Sequence, residues 1–129
     1  MKVALFPNFG KKNALPTALK CCDILNKLDT EILVPDTCKS EFAAKTYVVY
    51  GTIENIISEC DIVIAIGGDG TILRASAYAS ECDKLLLGIN TGHLGFMASM
   101  ETDELENLSR LKTHDYVVKT RMMLDVALG

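Results

Sequence analysis

Ile62-Val63-Ile64-Ala65-Ile66-Gly67-Gly68-Asp69-Gly70-Thr71 is the stretch whose reading decides the fold of this chain. It opens with five apolar residues, four of them β-branched, the make-up of a strand buried on both faces of a parallel sheet. Three glycines within four positions then allow the backbone to turn tightly and to come close to something bulky. Directly afterwards Thr71 to Ala79 is rich in helix formers, and a helix is predicted from about Gly70 to Ser80. One carboxylate, Asp69, therefore stands where a buried strand ends and a helix begins. Open α/β sheets bind phosphorylated ligands at such places, because the helix N-terminus is electropositive and rich in N–H donors.

Working outward, Lys2 to Phe6 reads as a first strand, stopped by Pro7, Asn8 and Gly10. A helix is expected from an Asn13 cap to about Leu28, with Pro16 tolerated in its first turn and Leu15, Leu19, Leu25 and Leu28 as its buried stripe. Glu31 to Val34 is a second strand. From Thr37 to Cys60 the pattern is poor. It suggests a mobile or weakly helical piece, a strand near Tyr47 to Tyr50 and a helix around Ile53 to Ser58. Leu85 to Ile89 is another buried strand, opening into the glycine-bearing loop Asn90-Thr91-Gly92-His93-Leu94-Gly95-Phe96. Asn90 suits a loop-pinning role and His93 a structural one. Thr102 starts a further helix with Leu105, Leu108 and Leu111 on one face.

Alternating strands and helices argue for a Rossmann-like α/β domain, an open parallel sheet flanked by helices with right-handed crossovers, over residues 1–116. Residues 117–129 read differently. Val118, Met122, Leu124, Val126 and Leu128 share one parity and alternate mostly with polar residues, as in a half-buried antiparallel strand. With no partner following it, that strand is expected to be the crossover into a β-rich second domain, truncated here.

Composition narrows the function. The chain has 129 residues, the size of one domain, and a formal net charge of −4, so nothing electrostatic favours nucleic-acid binding. No apolar run is long enough to cross a bilayer, and the first residues lack the features of a signal peptide, which makes the cytoplasm the expected compartment. Five cysteines include no C-x-x-C pair and read as reduced, small core residues. Neither a G-x-x-x-x-G-K-[ST] loop nor a G-x-G-x-x-G after the first strand is present.

What stands instead is Gly67-Gly68-Asp69-Gly70-Thr71 followed by Asn90-Thr91-Gly92-His93-Leu94-Gly95-Phe96-Met97. Together they resemble the G-G-D-G-T and N-T-G-x-L-G-F motifs of the NAD kinase family, in order and on the expected elements. Val3 to Asn8 opens the chain as that family does, and Arg121-Met122-Met123-Leu124 resembles its crossover into the second domain. The resemblance implies transfer of a phosphoryl group from ATP, or polyphosphate, to the adenosine ribose 2′-hydroxyl of NAD, with Mg2+ carried in on the nucleotide. It implies Asp69 as the base, Gly68, Gly70 and Thr71 against the nucleotide, Arg74 on the dinucleotide and Phe96 beside its adenine. It also implies a homo-oligomer in the full-length protein; the sequence itself shows no dedicated carboxylate cluster for a metal.

Each residue has a plainer role open to it. Asp69 and Thr71 suit helix capping, Arg74 a solvated helix face and Phe96 the core. The glycine–aspartate turn is shared with sugar and lipid kinases, and a nucleotide-binding module without chemistry would need the same loops. The Asn-Glu pair that the family carries in its second domain is not found in this chain, so these residues alone are expected to be inactive.

Overall fold

The computed structural model describes residues 1–91, 100–113, 117–120 and 124–127. Its centre is a parallel sheet built from β1 (Lys2–Pro7), β2 (Glu31–Pro35), β3 (Val49–Gly51), β4 (Ile62–Gly67) and β5 (Leu85–Asn90), in the order β3-β2-β1-β4-β5. Every residue of β4 is buried, as its apolar run requires. Alternation sorts the side chains. Val3, Leu5, Ile62, Ile64, Ile66, Leu87 and Ile89 join one apolar cluster, and Ala4, Val63, Ala65 and Leu86 join a second.

Helix α1 (Ala14–Lys27) contributes to the first cluster, whereas α2 (Ile53–Glu59) and α3 (Asp69–Glu81) contribute to the second. A sheet with helices on both faces buries both, which is why its strands read as continuous apolar runs. Gly88 lets α3 approach β5, since a Cβ there would lie 2.9 Å from Ile72 Cδ1. That close approach sets where the first turn of α3 sits.

Several expectations are corrected in detail. Asn13 does precede α1, but at φ 67° it is left-handed and its side chain makes no capping bond. Capping geometry needs an extended backbone at that position. The buried face of α1 is Ala14, Thr17, Ala18, Cys21, Cys22 and Leu25 rather than a leucine stripe. Leu15, Leu19 and Leu28 are half-buried at its margins. Small side chains let the helix lie close on the sheet. Four cysteines are buried, but Cys82, at the end of α3, is exposed. Burial pushes the Cys22 thiol up to about 12 and that of Cys60 to about 11, leaving both uncharged.

Residues 36–48 contain a single 3-10 turn, Asp36–Cys38, and a run of tight turns. They are pinned by Phe42, which is fully buried and stacks 5.8 Å from Phe9. The helix expected at Thr102 is 3-10 in character over Thr102–Leu108, kinked at Glu104, and leads into one α-turn, α4 (Ser109–Lys112). Leu105, Leu108 and Leu111 are all buried, as their shared face predicts.

Where one strand is expected over 117–129, the described residues form two, with 121–123 and 128–129 outside them. β7 (Val117–Thr120) and β8 (Leu124–Ala127) pair antiparallel, with Val118 opposite Val126. β8 also lies parallel to β5 at Leu86↔Asp125, and the two-residue β6 (Met100–Glu101) pairs with β5. The segment thus finds its ladder partners in itself and in the parallel sheet, as backbone donors and acceptors demand. No helix among the described residues is long and apolar enough to cross a membrane.

Candidate functional site

The chain leaves β1 towards β2 on one side and adds β4 on the other, so the sheet order reverses between β1 and β4. Neighbouring loops diverge to opposite faces at such a point and open a crevice at the carboxyl ends of the two strands. The glycine turn after β4 forms one wall of that crevice, and the loop of residues 8–13 after β1 forms the other.

Gly67 ends β4, and a Cβ on it would lie 2.6 Å from Thr71 Oγ1. Only glycine lets the strand meet the helix this closely. Gly68 is extended and takes the cap position of α3, so Asp69 is not the cap but the first helical residue. Its carboxylate lies in the first turn, where the helix dipole favours a negative charge, and its Oδ1 is buried. The first-turn N–H groups of a helix have no partner inside it and are available to acceptors from outside.

Hydrogen bonds hold both neighbouring strand ends to this turn. Asn8 N–H donates to the Ile66 carbonyl at 2.9 Å, and Thr91 N–H donates to the Gly67 carbonyl at 3.1 Å. Asn8 does more. Its Nδ2 donates to Thr71 Oγ1 at 3.2 Å, while its Oδ1 accepts from Gly10 N–H at 3.0 Å. Thr71 is 1% exposed and braces the turn from inside.

Arg74 is exposed, and its Nη1 lies 3.9 Å from where a Gly70 Cβ would be. The guanidinium is folded back over the turn. A second cation stands on the other side: Lys11 places its Cε 3.6 Å and its Nζ 3.9 Å from the Cβ position of Gly68. Asp69 thus lies in a turn with a positive side chain over the glycine on each side. The sequence alone assigned Lys11 no role. The signal was its place in the loop after β1, which the strand order brings beside β4.

Asn90 and Thr91 are buried at the end of β5, one strand further along. Phe96 and His93 lie outside the described residues, so of the second motif only its start is placed. Among the described residues no three of His, Cys, Asp and Glu converge as a metal site. A cavity between α1 and the 3-10 helix, lined by Asn13, Pro16, Thr17, Lys20, Thr102 and Leu105, contains none of the residues singled out above.

A model of the ATP-NAD kinase N-terminal domain matches residues 3–116. The NAD kinase of Corynebacterium efficiens is 35% identical over 133 aligned positions, which span 96% of this chain and 41% of that protein. The NAD kinase of Acetivibrio thermocellus is 31% identical, over 99% of this chain and 44% of its own length. The chain therefore spans about two fifths of the relatives it matches. Among solved structures, yeast NADH kinase complexed with NADH superposes with a TM-score of 0.82 at 15% identity, covering 94% of this chain and 40% of that one. That likeness concerns the fold. A crevice walled by a glycine–aspartate turn, on an α/β sheet matched almost from end to end by one family's domain, leaves one assignment: this chain belongs to the NAD kinase family.

Proposed function

We propose that the full-length protein transfers a phosphoryl group from ATP, or from polyphosphate, to the adenosine ribose 2′-hydroxyl of NAD, giving NADP. The observation that carries this reading is the position of Asp69, at the carboxyl end of β4 and in the first turn of α3, within the crevice. Phosphoryl transfer has a loose transition state, so the protein's work is to position the reactants and stabilise charge. In this reading Asp69 accepts the proton of the attacking hydroxyl. The first-turn N–H groups of Gly70 and Thr71 face anionic oxygens. Gly68 lets phosphates come against the main chain.

Arg74, already folded over Gly70, contacts the dinucleotide, and Phe96 provides an aromatic face for its adenine. Mg2+ would be carried in on the donor's phosphates. Residues 1–116 form the domain that bears the base, and 117–129 lead towards a second domain that completes the substrate pocket. On its own the 129-residue chain would therefore turn over negligibly. We place the reaction in the cytoplasm and expect the full-length protein to assemble as a homo-oligomer.

The test is a product assay on the full-length protein. ATP is supplied with NAD, fructose 6-phosphate or diacylglycerol in parallel, and NADP is followed with an NADP-specific dehydrogenase. NADP formation without sugar or lipid phosphorylation is the expected result. Binding of NAD and ATP with no NADP formed would leave a nucleotide-binding module and end the kinase reading.

A further inference from the structure

We infer that Lys11 binds the phosphoryl donor, its ammonium taking a donor phosphate across the crevice between β1 and β4, on the side of the glycine turn away from β5. The inference rests on the kinase reading above and adds a residue to it.

Three observations lead there. First, the Lys11 side chain reaches back from the β1 loop to Gly68, with Nζ 3.9 Å from the position a Cβ would occupy. A glycine at that point leaves the space between lysine and main chain open. Second, the loop is held in place. Asn8 ties it to Ile66, Thr71 and Gly10, and Lys11 N–H itself donates to the Asn8 carbonyl at 3.1 Å. A lysine on so fixed a base has less to lose in ordering when it meets a ligand.

Third, the charges are mismatched. A helix N-terminus favours anions, yet both Lys11 and Arg74 lie over the first turn of α3, against the single carboxylate of Asp69. Lys11 makes no ion pair among the described residues. An incoming phosphate removes that mismatch.

Topology assigns the two sides. β4 has β1 on one flank and β5 on the other. Under the kinase reading, Arg74 and the loop after β5 serve the dinucleotide. The acceptor hydroxyl must sit at Asp69 with the donor opposite it. The remaining flank, that of Lys11, is the donor's.

The experiment compares wild type, K11A, K11R and the neighbouring control K12A in the full-length protein. NADP formation is measured with ATP and NAD varied in turn, and binding of inorganic tripolyphosphate is measured by calorimetry. A charge-assisted hydrogen bond lost from the donor should raise the KM for ATP and weaken tripolyphosphate binding by about 10- to 100-fold in K11A. K11R should recover part of this, K12A should resemble wild type, and the KM for NAD should stay within about twofold.

An unchanged KM for ATP overturns the inference, as does a rise in the KM for NAD alone, which would give Lys11 to the dinucleotide's pyrophosphate. A wild-type protein that makes no NADP defeats the kinase reading, and the calorimetric arm then decides on Lys11 alone. Weaker tripolyphosphate binding by K11A would still support it. Equal binding, or none by the wild type, would overturn it.

Discussion

β1 and β4 run side by side and end on the same crevice, yet they furnish it in opposite ways. β4 ends in Gly67, Gly68 and Gly70, which provide space and leave one side chain, Asp69, at the turn. β1 ends in Pro7, Asn8 and the residues up to Asn13, which provide side chains: Asn8 as a latch and Lys11 as a reaching cation. The wall that makes room is recognisable as a motif, because few residue types satisfy a steric demand. The wall that supplies groups is not, because a charge can reach the same point from many positions on a loop.

The largest effect should come from the β4 wall. Asp69→Asn in the full-length protein keeps the shape of the turn and removes the proposed base, so under the kinase reading kcat should fall by roughly 10²–10⁴. An undiminished rate of NADP formation would remove Asp69 from the chemistry. Next is the space itself. Gly67→Ala forces a Cβ to 2.6 Å from Thr71 Oγ1, and overpacking of this kind costs about 1–3 kcal/mol in thermal or denaturant unfolding. If the variant is as stable as wild type, the close approach of strand and helix is not what selects glycine there.

The β1 wall should respond more weakly. Asn8→Ala removes the bonds to Thr71 Oγ1 and Gly10 N–H, and a loss of roughly 0.5–1.5 kcal/mol per bond is the usual net value. Faster amide exchange at Gly10 and Lys11, with little change at β4, would distinguish a loosened loop from global destabilisation.

The smallest effect is expected far from the crevice, at Asp23, whose carboxylate accepts from Lys45 Nζ at 2.8 Å and Tyr47 Oη at 2.7 Å. The hydrogen bond from Lys45, then that from Tyr47, holds this carboxyl below the usual carboxylate range. A lowered folded-state value stabilises above the unfolded one and is lost as pH falls through the folded one. Asp23→Asn should thus melt slightly below wild type at neutral pH and level with it in strong acid. A deficit that persists in acid would mean that packing, rather than charge, ties α1 to residues 45–47.

Legibility followed the same division. β1, β2, β4 and β5 could be read because burial on both faces writes apolar runs, whereas β3, three residues with Val49 exposed, writes none. The leucines of α1 misled because apolar size is not proximity to the sheet. Ala14, Ala18 and Cys21 form its contact face by being small. Phe42 gave no periodic signal, since a lone anchor in a turn-rich segment has no repeat to detect. The alternation after residue 117 spoke of antiparallel pairing and not of its partner, which proved to be β7 with β8.

Sequence alone determined the α/β class, the family, the strand-to-helix turn and the acid within it. All of these rest on local demands, such as burial, tight turning and helix polarity, which a short run of residues either meets or fails. Tertiary structure alone decided the strand order, the crevice between β1 and β4 and the lysine brought over Gly68. Those depend on which distant segments pack together, and a contact between residues nearly sixty positions apart leaves no mark in either neighbourhood.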